Sequence, residues 1–164
     1  MSRLADKDKA RDTARQLLKR LALNTIPVSV ERVAKALGVR VEYAPLDGEL
    51  SGLAHVHNGV PIIGVNTLHA PNRQRFTIAH ELAHVQLHRD ELERAVHVDR
   101  GSLRRDAVTA SGTDPLEIEA NTFAAELLMP RDVLLALLDG RAVDLEDDEA
   151  VAILAKRFRV SEAA

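Results

Sequence analysis

The chemistry in this chain is concentrated in one short stretch, His80-Glu81-Leu82-Ala83-His84. On a helix, residues four apart stand one turn apart on the same face, so His80 and His84 can offer two imidazole nitrogens to one metal ion. Glu81 sits about 100° further round. From there its carboxylate can reach a metal-bound water without being a ligand itself. This is the HExxH arrangement of metal-dependent peptide hydrolysis.

The surrounding residues describe the element that must hold these groups. Phe76, Ile78, Ala79, Leu82, Ala83, Val85 and Leu87 make the helix apolar nearly all round, as expected of a core helix. The exception is one arc with Thr77, His80, Glu81, His84 and His88. Burying such titratable groups together without a metal or strong pairing is costly, which favours a metal.

Two histidines leave a zinc site incomplete, because catalytic sites take three protein ligands and keep a position for water. A later helix, opened by Asp114-Pro115 and running through EIEANTFAAELL to Met129-Pro130, offers Glu117, Glu119 and Glu126. Glu117 shares a side with Ala120, Ala124, Leu127 and Leu128, while Glu119 and Glu126 are expected to point toward solvent. Asn121 stands one turn above Glu117, placed to hydrogen-bond a ligand. Asp114 and Glu117 also have the spacing of a capping box, an alternative use for this carboxylate. His88, one turn past His84, is expected to support a ligand or cap the helix; as a fourth ligand it would close the site.

Composition sets the frame. The chain has 164 residues, enough for one well-packed domain, expected as a body over residues 1–140 with an acidic segment and helix over 141–164 packed on or continuing from it. It has no cysteine, so any metal must be held by His and carboxylate. A formal charge of −3 with only 2% aromatic residues does not suggest polyanion binding, and no direct nucleic-acid contact is expected. The charged start MSRLADKDKARD has no apolar core, and no apolar run approaches the roughly 20 residues of a membrane span. A cytoplasmic protein is the expectation.

The other elements follow from periodicity. Helices are predicted from Lys7 to Leu21 and after a Ser29 cap up to Gly38, then a strand over 39–43. Leu53 to His57 and Val60 to Val65 form a hairpin around Asn58-Gly59, and 66–72 is a loop leading to the metal-site helix. From Asp90 to Ser111 the pattern weakens; Ala95 to Val98 reads as a short strand, His97 as a surface residue, GSLRRD as a loop, and the whole connection as a border of a substrate cleft. Helices are expected over Arg131 to Leu138 and Ala150 to Phe158, with VSEAA beginning another. These elements make the fold class α+β.

RQRFTIAHELAHVQLH followed by EIEANTFAAELLMP resembles the ImmA/IrrE family of bacterial and phage metallopeptidases, whose members carry RxxFTxAHELxH and then ExxANxFAxxLLMP. The likeness extends to TIPVSVERVAKALGVRV, SGLAHV and LAKRFRVS. It implies a gluzincin-like fold, a small antiparallel or mixed sheet packed on the HExxH helix and surrounded by helices, with His80, His84 and Glu117 as metal ligands, Glu81 as general base, and Asn121 supporting a ligand. Longer members carry further domains, some for DNA binding or sensing; the resemblance here is to the peptidase domain.

The resulting expectation is a zinc-dependent endopeptidase, with manganese or another divalent ion as an alternative cofactor. Glu81 would take the proton of the attacking water and pass it to the leaving amine. His55, His57, Tyr43 and His97 are unranked candidates for contacting substrate or its oxyanion, and the hairpin strand could take an extended peptide as an added strand. The resemblance implies a helix-turn-helix repressor as substrate, cut to release stress, phage or mobile-element genes, or a toxin–antitoxin-like pair. Two readings compete: a non-catalytic interaction domain with a closed structural metal site, and a DNA-binding module, since VERVAKALGV and VAILAKRFRV each resemble half of a helix-turn-helix.

Overall fold

The structure, a computed structural model, describes residues 3–101, 114–142, 144 and 146–164. Helix α1 (Lys7–Leu21) is capped by Asp6, whose side chain accepts the Lys9 N–H, and turns Ala10, Ala14, Leu17 and Leu18 inward. In α2 (Val30–Ala36) Ser29 accepts the Arg32 N–H, and Val30, Val33 and Ala34 are buried. Gly38 then takes a φ of +69°, a left-handed turn that suits glycine, before β1 (Arg40–Ala44).

Strands β2 (Gly52–His57) and β3 (Val60–Asn66) are antiparallel and joined by Asn58-Gly59 with φ values of 50° and 78°. Positive φ at both positions is the type I′ hairpin geometry for which Asn-Gly is suited. The four-stranded sheet has the order β1-β3-β2-β4, with β1 parallel to β3 and β4 (His97–Asp99) antiparallel to β2. One sheet face carries Ala54, Ile63 and Val65, all fully buried, against α3 (Pro71–Leu87). The approach is close: a Cβ on Gly52 would lie 2.5 Å from Thr77 Cγ2 and 2.6 Å from the Gly64 carbonyl oxygen. Only glycine fits there without a shift of α3 or β3.

Helix α3 is therefore a core helix, covered by the sheet on one side and by α5 (Pro115–Leu128) on another. Helix α5 in turn has α1 against it. The chain continues through α6 (Arg131–Leu138) to α7 (Asp148–Phe158). Arg75 ties α7 to the body: its guanidinium donates to the carbonyls of Val28 at 2.8 Å, Phe158 at 3.3 Å and Arg159 at 3.3 Å, beside buried Phe158 and Val160.

The fold is α+β with a small mixed sheet, as expected. Some local readings need correcting. Residues of weak pattern form a helix, α4 (Arg89–Arg94), which follows α3 directly after His88. The last five residues do not begin a helix; Arg159 adopts a left-handed φ of 54° and closes α7 instead. Of the connection expected to border a substrate cleft, residues 102–111, including most of GSLRRD, lie outside the described residues. No helix among the described residues is long and apolar enough to cross a membrane.

Candidate metal centre

The site assembles from three elements. Helix α3 supplies His80 and His84, whose Nε2 atoms lie 3.3 Å apart. Helix α5 supplies Glu117, with Oε2 3.1 Å from His80 Nε2 and Oε1 3.2 Å from His84 Nε2. The carboxylate thus reaches the histidines of α3, while Asp114 caps α5 by accepting the Leu116 N–H at 2.9 Å. Strand β4 supplies His97, whose Nε2 is 2.8 Å from Glu117 Oε1 and whose Nδ1 is 3.0 Å from Glu81 Oε2. One donor atom from each of His80, His84, His97 and Glu117 lies within 4.8 Å of the others.

Burial and charge set the protonation states. Burial would lower the His97 imidazole, but hydrogen bonds and attraction from Glu117 and Glu81 outweigh it and push the group up to about 10. The same opposition raises His80 to about 8, whereas burial dominates at His84 and lowers it to about 4. Burial works against the Glu117 charge, yet three imidazoles hold its carboxyl well below the usual range. Glu81 is fully buried and burial raises its carboxyl; its Oε1 has no hydrogen-bond partner.

Behind these groups stand the side chains that orient them. His80 Nδ1 lies 3.0 Å from Asn121 Oδ1. His84 Nδ1 lies 3.0 Å from His88 Nδ1, and His88 Nε2 lies 2.7 Å from Glu119 Oε2. A metal-bound imidazole needs a partner for its other ring nitrogen, and both helix histidines have one. Imidazole nitrogens and a carboxylate in one cluster, with an unpartnered buried carboxylate oxygen alongside, suit zinc and also other divalent ions.

Several expectations change. His97, expected at the surface, is mostly buried, its side chain 22% exposed. Pairing of β4 with β2 sets His97 opposite Ala54, so it shares the sheet face that meets α3, while Val96 and Val98 are exposed. The local alternation is the reverse of the usual apolar-inward pattern. Glu119 and Glu126, expected in solvent, are 3% and 9% exposed, because α5 is covered by α1 as well as α3. Glu126 accepts from Arg15 Nε at 2.9 Å.

The structure does not bring Tyr43, His55 or His57 to the cluster. Tyr43 lies on β1, the far edge of the sheet, with its hydroxyl 3.3 Å from Glu31. His55 and His57 alternate with buried Ala54 and so face away from α3; His57 pairs with Asn58 at 3.3 Å.

Residues 34–164 match the peptidase family described as the IrrE N-terminal-like domain. Over 125 residues, 76% of this chain, it is 33% identical to the radiation response metalloprotease IrrE of Deinococcus radiodurans. That stretch covers 34% of the relative, so the chain spans about a third of its length. A Mycobacterium tuberculosis transcriptional regulator is similar in fold, with a TM-score of 0.60 at 18% identity over 94% of this chain and 44% of that one. With the family matched over most of its length, this chain belongs to the IrrE N-terminal-like peptidase family.

Proposed function

We propose that this chain is the catalytic domain of a metal-dependent endopeptidase, in which His80, His84 and Glu117 hold a divalent cation, in the first instance zinc, and Glu81 is the general base. The observation that carries the proposal is the Glu117 carboxylate, 3.1 Å and 3.2 Å from the two Nε2 atoms of an HExxH pair. The chemistry that a bound cation supplies is Lewis-acid polarisation of the scissile carbonyl and of the attacking water.

The side chains do the rest. Glu81 takes a proton from the water and delivers it to the leaving amine nitrogen; its free Oε1 and its carboxyl, raised by burial, suit proton uptake. His97 bonds the other oxygen of Glu81 at 3.0 Å and so fixes the base. Of the four side chains considered for contact with the substrate oxyanion, His97 is the one beside Glu81. Asn121 and His88 hold the rings of His80 and His84.

Strand β2 is flanked by β3 and β4, so an extended peptide adding to this sheet near the site would pair with the outer edge of β4 instead of the hairpin. Family membership supports a protein substrate, and the resemblance points to a helix-turn-helix repressor, which would place the reaction in the cytoplasm. Its release of stress, phage or mobile-element genes, or a toxin–antitoxin relationship, belongs to the same proposal. The test is to incubate the zinc-loaded chain with candidate repressors and map products by mass spectrometry. A single cut that needs the cation and disappears in Glu81→Gln supports the reading; equal cutting by that variant would reject it.

A closed structural site is favoured by one observation, the presence of His97 within the donor cluster. His88 does not fill that role, since both its ring nitrogens are engaged. A small hydroxamate separates the readings: it perturbs the visible spectrum of a Co2+-loaded site with an open position and leaves a four-ligand site unchanged. The DNA-binding reading gains no support from α2, which runs into β1 and not into a second helix.

A further inference from the structure

The two helix histidines are backed differently. His80 meets the neutral amide of Asn121, whereas His84 opens a buried chain that leaves the site altogether. From His84 Nδ1 it passes 3.0 Å to His88 Nδ1, then 2.7 Å from His88 Nε2 to Glu119 Oε2. Glu119 is anchored beyond by the N-terminal segment: Arg3 donates to Oε1 at 2.9 Å and Oε2 at 3.1 Å, and the Asp6 N–H donates to Oε1 at 2.8 Å. His84, His88 and Glu119 are 3%, 4% and 3% exposed, so water does not compete for these bonds.

This chain has one consistent direction when His84 presents a bare Nε2 to a cation. A neutral imidazole with its lone pair on Nε2 carries hydrogen on Nδ1 and must donate it. His88 Nδ1 then accepts, its hydrogen resides on Nε2, and that hydrogen goes to Glu119, which as a carboxylate can only accept. Arg3 and the Asp6 N–H complete the carboxylate without offering it another imidazole. The arrangement also fixes the plane of the His84 ring, since its acceptor is a ring clamped at both nitrogens.

We propose that His88 and Glu119 are positioning residues that impose the ligand tautomer and orientation on His84, and that Arg3 and the start of α1 couple the N-terminal segment to the metal centre. The inference rests on His84 being a metal ligand, and it assigns a role to Glu119 that helical periodicity hides. Glu126 is the built-in comparison. It lies two turns along the same helix and pairs with Arg15 of α1 at 2.9 Å, yet contacts no histidine.

The experiment is Co2+ titration of the full chain against a chelator, with the visible spectrum recorded, for the wild type, Glu119→Gln, Arg3→Ala and Glu126→Gln. Loss of such a supporting partner lowers metal affinity by about 10- to 100-fold. Glu119→Gln should lower Co2+ affinity about tenfold and shift the absorption band, and Arg3→Ala, a change at a half-exposed side chain, should lower it a few-fold. Glu126→Gln should leave both affinity and spectrum unchanged, although it too removes a charge from the α1–α5 contact. If Glu119→Gln fails to fold, Arg3→Ala decides. A wild type that binds one Co2+ while both variants match it in affinity and spectrum would overturn the coupling alone. A wild type that binds no Co2+ would overturn the metal-centre reading and this inference with it.

Discussion

Helix α5 packs against α1 on one side and α3 on the other. From α1 come small and apolar side chains, Ala10, Ala14, Leu17 and Leu18, with an ion pair from Arg15 to Glu126, while Arg3, ahead of α1, pairs with Glu119. From α3 come His80 and His84, facing Glu117 and Asn121, with Glu81 bonded to His97 beside them. Apolar burial stabilises the first contact at roughly 25 cal/mol per Å². The second contact buries titratable groups at a cost that a cation can offset. One helix is thus held by an apolar contact so that its other side can carry chemistry, and damage to the two sides should have different consequences.

The sharpest separation should come from Glu81→Gln, on the α3 side. Removing a general base lowers rate by about 10²- to 10⁴-fold, and bound metal should be retained, as read by peptide cleavage beside elemental analysis. On the α1 side, Leu18→Ala empties a site that is 1% exposed and should cost about 2–5 kcal/mol in denaturant unfolding. Folded protein carrying this change should still bind metal at the same ratio; a selective loss of metal would erase the distinction between the contacts. The smallest effect concerns pH. His80 is raised to about 8 in the metal-free chain, so below that pH a proton occupies the nitrogen that a cation needs. Metal affinity should therefore fall by up to about tenfold per unit as pH drops below 8 and level off above it, measured by chelator competition. An affinity that rises on acidification would contradict the assignment of His80.

The same contrast explains what could be read from the chain. Helix α1 was legible to its ends because a single apolar stripe repeats along it, and the hairpin because Asn58-Gly59 requires positive φ at both positions. The α3 half of the site was legible because the spacing of His80 and His84 lies within one element. Helical geometry puts Glu117 on a different side of its helix from Glu119 and Glu126, and that side meets His80 and His84. What escaped depends on packing between distant elements. Glu119 and Glu126 are buried because a helix more than a hundred residues earlier covers them, and a helical wheel assigns that side to solvent. His97 escaped because a three-residue edge strand has too little pattern to fix its register, and a shift of one residue would reverse which side chains face α3.

The most direct test of the central claim is the metal content of the purified chain by elemental analysis, beside His80→Ala and Glu117→Ala. The account predicts about one zinc, or one equivalent of another divalent ion, per wild-type chain after zinc is supplied, and loss of that ion in both variants while each remains folded. Full occupancy in Glu117→Ala would contradict the ligand set, and a folded wild type that takes up no metal would contradict the metal centre itself.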